Sequence, residues 1–114
     1  MQMPYLSVQT NVRVDDQAGF ISRLSQQTAA MLGKPESYVM VHLDAGVALS
    51  FAGSAAPAAY VQLKSLGLPE KQTADYSARL CSVLQAELGV DAARIYIEFS
   101  APQRHMWGWD SGTF

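Results

Sequence analysis

The chain is short of three things, and each shortage excludes a class of protein. Of its 114 residues one is cysteine, Cys81. A lone thiol builds neither an intramolecular disulfide framework nor a cysteine-rich zinc site. Charged residues make up only 16%, against about 25% in an ordinary soluble domain. So little polar surface coats a monomer poorly, which points to self-association. The charges sum to −2 with no basic run, so no nucleic-acid partner is expected. No apolar run approaches the roughly 18 residues of a membrane span. The opening MQMPYLSVQT has neither a charged n-region nor an apolar h-region, so no secretory signal is expected. The cytoplasm is the default compartment, with leaderless secretion as the alternative. His42 and His105 lie far apart without companion ligands, so no metal is expected. FAGSAAPAA lacks the spacing of a phosphate-binding loop, and no cofactor is expected.

What is present is apolar residues, 49% of the chain, enough for one domain over 1–114 with a real core. Their period changes along the sequence and gives the layout. Over Tyr5 to Thr10, Leu6, Val8 and Thr10 alternate with Tyr5, Ser7 and Gln9, the pattern of a strand with one buried face. Asp15 and Asp16 can cap a helix in which Phe20, Leu24, Thr28 and Met31 recur at helical spacing. Gly33 stops it and Pro35 prevents its resumption. A second strand is predicted over Tyr38 to Leu43. A connection rich in Ala, Gly and Ser follows from Asp44 to Pro57, with room for a short strand over Ala48 to Phe51. Ala58 to Ser65 reads as a third main strand. Pro69 suits the first turn of a helix whose stripe is Ala74, Ser77, Cys81, Leu84 and Leu88, ended by Gly89. Arg94 to Phe99 is the clearest strand, Ile95, Ile97 and Phe99 on one side, Tyr96 and Glu98 on the other.

The succession strand, helix, Gly stop, turn, strand occurs at 5–43 and again at 58–99, with parallel endings LGKPESYVMVHL and LGVDAARIYIEF. It is an internal repeat of a β-α-β unit. Two such units predict an α/β fold: a four-stranded mixed sheet with two helices on one face, plus short extra strands. The other face would carry Ser7, Gln9, Tyr38, Met40, His42, Tyr60, Gln62, Lys64, Tyr96 and Glu98. That surface is semi-polar and aromatic, and a homo-oligomer packed through it would explain it together with the low charge.

On the stretches MPYLSVQTNV, LGKPESYVMVHL, LSFAGSAAP, KSLG, DAARIYIEF and WGWDSGTF, taken in that order over nearly the whole chain, the sequence resembles the macrophage migration inhibitory factor and D-dopachrome tautomerase family of the tautomerase superfamily. The resemblance implies a homotrimer with active sites between neighbouring subunits. It implies an enzyme that interconverts keto and enol forms of phenylpyruvate-like carboxylates. Some members are also secreted signalling proteins, so a protein receptor is an implied partner. A cytokine-like protein with a vestigial pocket is the rival reading.

The same resemblance assigns residues. Pro4 would be the catalytic residue once it is the N-terminus. A proline inside a chain has an amide nitrogen without basicity, whereas a free N-terminal proline is a secondary amine. An ordinary α-amino group titrates near 7.7–8.0. An apolar pocket and a nearby cation both lower that value, leaving a neutral base at pH 7. Here Met1, Gln2 and Met3 precede Pro4, so activity is expected only if processing exposes it. Lys34 would bind the substrate carboxylate, and Tyr96 would donate a hydrogen bond to substrate oxygen. The backbone at Ser65 and Leu66 would contact substrate, Tyr38 would reach the rim, and Trp107, Trp109 and Phe114 would wall the pocket. Glu98 stands where many members have an amide; its carboxylate can pair with Lys34 or favour the protonated proline. The CxxC element of certain members would fall at Ala58 and Val61, so thiol redox activity is not expected. Cys81 is expected to be an inert core thiol.

Overall fold

The computed structural model describes residues 3–114. The first unit opens with a strand at Tyr5–Thr10 (β1) and a helix at Gln17–Leu32 (α1). Of the two candidate caps Asp16 is the one used: its carboxylate accepts the Gly19 N–H at 3.0 Å. Gly33 ends the helix at φ 65°, in the left-handed region that glycine enters without a Cβ penalty. A 3-10 turn at Glu36–Tyr38 then leads into a strand at Met40–Asp44 (β2). Tyr38 therefore lies in a turn, not in the strand predicted for it. Its N–H is donated to the Pro35 carbonyl at 3.1 Å, and that bond holds the chain out of ladder geometry.

The second unit has a strand at Ala59–Lys64 (β3), a helix at Thr73–Leu88 (α2) and a strand at Ile95–Ser100 (β4). Pro69 does not open the helix directly; it precedes a 3-10 turn at Glu70–Gln72 that runs into α2. The buried stripe of α2 is Tyr76, Leu80, Leu84 and Leu88, one residue back from the predicted stripe over its first half. Ala74 is exposed, and Ser77 and Cys81 are only half-buried. Cys81 thus flanks the core instead of filling it. A hairpin follows, Gly108–Trp109 (β5) and Gly112–Thr113 (β6).

The sheet order is β2-β1-β3-β4, with β1–β2 and β3–β4 parallel and the two units joined by the antiparallel β1–β3 pair. Leu6, Val8, Val61, Leu63 and Ile95 send their side chains into one cluster with Phe20 and Leu24 of α1 and Leu80 and Leu84 of α2. Both helices therefore cover the same face. The predicted strand at Ala48–Phe51 does not form; a single bridge joins Phe51 to Ser54. Ala52 and Gly53 both take positive φ and turn the chain back before a ladder can extend. The segment is held by side chains instead. Asn11 Nδ2 donates to the Ala55 and Ala56 carbonyls at 3.0 Å each, and Arg94 Nε donates to the Pro57 carbonyl at 2.9 Å. Among the described residues no helix is long and apolar enough to cross a membrane.

Candidate active site

Pro4 sits at the head of β1 with almost no exposed surface. Its missing N–H does no harm there, and its carbonyl accepts the Met40 N–H at 2.9 Å. This bond fixes the ring where β1 and β2 begin. Over it opens a cleft of about 440 Å³, within the range of small-molecule sites. Tyr38 and Met40 line one side of the cleft, and Tyr5 and Lys64 line it from β1 and β3. Trp107 and Trp109 supply the aromatic wall. The wall is braced: Trp109 stacks on Phe114 with ring centroids 6.0 Å apart, and the Phe114 N–H is donated to the Trp107 carbonyl at 3.3 Å. Asp110 and Ser111 turn the hairpin with φ of 50° and 65°, the double left-handed turn that suits the twist of a two-residue hairpin.

Of the residues singled out in the sequence, the structure gathers Pro4, Tyr38, Trp107 and Trp109 at this cleft, with Phe114 behind Trp109. Lys34 follows the stop at Gly33, half-buried, with its N–H donated to the Ala29 carbonyl at 2.9 Å. It is not among the residues lining the cleft. Ser65 is buried and its N–H is already donated to the Ser100 carbonyl at 3.0 Å. Leu66 is buried too, and of the KSLG stretch it is Lys64 that lines the cleft.

Tyr96 and Glu98 lie elsewhere. Register pairs Gln9 with Tyr60 and Tyr60 with Tyr96. Tyr96 is thus two strands across from β1 and five residues along from Pro4. At about 4.8 Å per strand and about 3.3 Å per residue, that is about 19 Å. Tyr96 is 64% exposed and packs edge-on against Phe51, centroids 4.8 Å apart. Glu98 does not pair with Lys34. Its Oε1 accepts the Tyr60 hydroxyl at 3.0 Å and Gln62 Nε2 at 3.1 Å. These two bonds, Gln62's the larger, hold its carboxyl below the usual range, and Lys64 adds to the effect. Partial desolvation, reinforced by the bond to Glu98, pushes the Tyr60 phenol up.

Sequence reasoning missed Lys64 as a cleft residue. It closes β3 opposite Tyr5, and that placement depends on the β1–β3 register, which no local pattern carries. It also missed a row on the open sheet face: the Ser7 hydroxyl and His42 Nδ1 share a hydrogen bond at 3.3 Å, and His42 Nε2 is 3.9 Å from Asp44. The last distance is beyond hydrogen-bonding range, so the row lacks the oriented base of a nucleophilic triad. Burial pushes the Cys81 thiol up, which disfavours the reactive thiolate. Among the described residues no three His, Cys, Asp or Glu side chains come together to hold a metal.

Comparison with known proteins bears on this geometry. The family described as "Macrophage migration inhibitory factor (MIF)" matches residues 3–114. A macrophage migration inhibitory factor homolog of Trichinella spiralis is 37% identical, over 98% of this chain and 100% of its own. The macrophage migration inhibitory factor of Rattus norvegicus is 36% identical, over 98% of this chain and 99% of its own. Among solved structures, the homologue from Prochlorococcus marinus superposes with a TM-score of 0.91 at 38% identity, over 96% of this chain and 98% of that one.

Proposed function

The chain belongs to the macrophage migration inhibitory factor family, within the tautomerase superfamily, and from that premise we propose that it is a keto–enol tautomerase of phenylpyruvate-like α-keto acids. The observation that carries the proposal is the placing of Pro4: buried, at a strand head, at an aromatic cleft of substrate size. With Pro4 as the N-terminus, its neutral amine takes a proton from the carbon beside the ketone. The electron pair moves onto the carbonyl oxygen, and the proton is returned to that oxygen to give the enol. The reverse path regenerates the ketone, so nothing is consumed. Lys34 holds the carboxylate, the backbone at Leu66 contacts substrate, and the tryptophans hold an aryl ring. Tyr96 donates to the oxygen from a neighbouring subunit, because in its own subunit it stands about 19 Å away. We take the working unit to be the homotrimer that the family resemblance implies, with composite sites.

Phenylpyruvate tautomerisation by a chain beginning at Pro4 is the test. A strong rate that falls at least about 100-fold in Pro4→Gly is expected, the range of a positioned general base. A full rate in Pro4→Gly removes Pro4 from the mechanism. The second reading, a cytokine-like binding protein with a vestigial pocket, draws on the Met3–Pro4 bond in this sequence. While that bond is intact the Pro4 nitrogen is an amide and moves no proton. A folded, inactive chain beginning at Pro4 would favour this reading.

A further inference from the structure

We propose that Lys64 makes this cleft select ligands with a second carboxylate. The inference rests on the reading that Lys34 holds the first. Lys64 is half-buried at the end of β3, on the same sheet face as Gln62, and it lines the cleft beside Pro4. Among the described residues no carboxylate comes within ion-pair distance of its ammonium. The nearest acid along the open face, Glu98, is already tied to Tyr60 and Gln62 and feels Lys64 only through space. The rest of the lining is Pro4 with apolar and aromatic side chains, Tyr38, Met40, Trp107 and Trp109 among them. A partly desolvated cation in such a setting lacks a counter-charge, and an anion entering the cleft supplies one. Lys64 ends β3 and lines the cleft, whereas Lys34 lies between α1 and β2 and is not in that lining, so the two ammonium groups come from separate elements. One carboxylate engaged by Lys34 leaves Lys64 free for another. The chemical class this fits is an aryl-bearing dicarboxylate.

The chain's only two tryptophans both line the cleft, so their emission reports occupancy whether or not the protein turns anything over. The full chain is titrated with 3-phenylpropionate, which has one carboxylate, and with phenylsuccinate, which has two. Phenylsuccinate is expected to bind about 10-fold tighter to the wild type. Lys64→Gln should bring the two affinities together, and Lys64→Arg should restore most of the preference. Equal affinities in the wild type, a preference unchanged in Lys64→Gln, or no response to either acid overturns the proposal. Phenylpyruvate turnover, measured separately with Pro4 free, keeps the two readings apart. A Lys64-dependent preference without turnover sinks the enzymatic reading alone, and turnover without the preference sinks this one alone.

Discussion

Three side chains on the open sheet face act as one unit: Tyr60 and Gln62 both donate to a single oxygen of Glu98. The carboxylate is the form these bonds favour, so they hold Glu98 below its ordinary range. The sign follows from linkage. A group whose folded pKa is depressed adds stability above its unfolded pKa, and that contribution is lost as pH falls through the folded value. Glu98 should therefore titrate below the usual glutamate midpoint of about 4.3, and Gln62→Ala should move it upward. Side-chain carboxyl shifts followed by NMR check this; a wild-type midpoint at or above that of an exposed glutamate would show the bonds to be absent in solution. The residue type at position 98 could be read from the sequence, but its partners could not. The sequence offers Lys34 or the protonated proline as its partner, whereas within the chain the register of β3 with β4 gives it Gln62 and, two residues along, Tyr60.

Secondary structure was legible where punctuation and period agreed. Gly33 and Gly89 end α1 and α2 as predicted, and the two β-α-β units emerge from their repeated order. The reading slipped where small residues blurred the period. In α2, Ala74, Ser77 and Cys81 mimic an apolar stripe, while the residue that packs is Tyr76, whose hydroxyl reaches Gln72 at 2.9 Å. Amphiphilic tyrosine is counted as polar or apolar only by its surroundings. The cap of α1 offers a discriminating test, because the sequence allowed both Asp15 and Asp16. Asp16→Ala should destabilise the protein by about 1 kcal/mol, the ordinary worth of an N-cap. Asp15→Ala should change stability by less than about 0.5 kcal/mol. Urea unfolding of the two variants measures both, and equal losses would mean that the cap observed at Gly19 N–H is not the one that matters.

At the scale of the molecule, the helices cover one side of the sheet and leave the other bare. On and around that bare side Met40 is 66% exposed, Tyr96 64% and Trp109 51%. Large apolar groups left exposed at both edges of one small sheet mark a surface built for contact. The low charge of the sequence pointed the same way, and the number of copies came from family resemblance alone. Sedimentation at micromolar concentration should give three times the chain mass. A monomer would leave Tyr96 stranded from Pro4 and remove the composite site from consideration. Lys64 belongs to this scale as well: it enters the cleft only because two units meet antiparallel at β1 and β3, which sets Lys64 opposite Tyr5, 64 − 5 = 59 positions earlier.

The separation of Pro4 from Tyr96 has a genetic corollary. If each junction of a ring unites one subunit's proline with its neighbour's tyrosine, the two defects are complementable. Rings made wholly of a Pro4 variant, or wholly of a Tyr96 variant, have no intact junction. A ring that mixes the two kinds has one, wherever a subunit with sound proline meets a neighbour with sound tyrosine. Two inactive alleles expressed together would then restore part of the activity that neither has alone, and the amount restored would count the mixed rings.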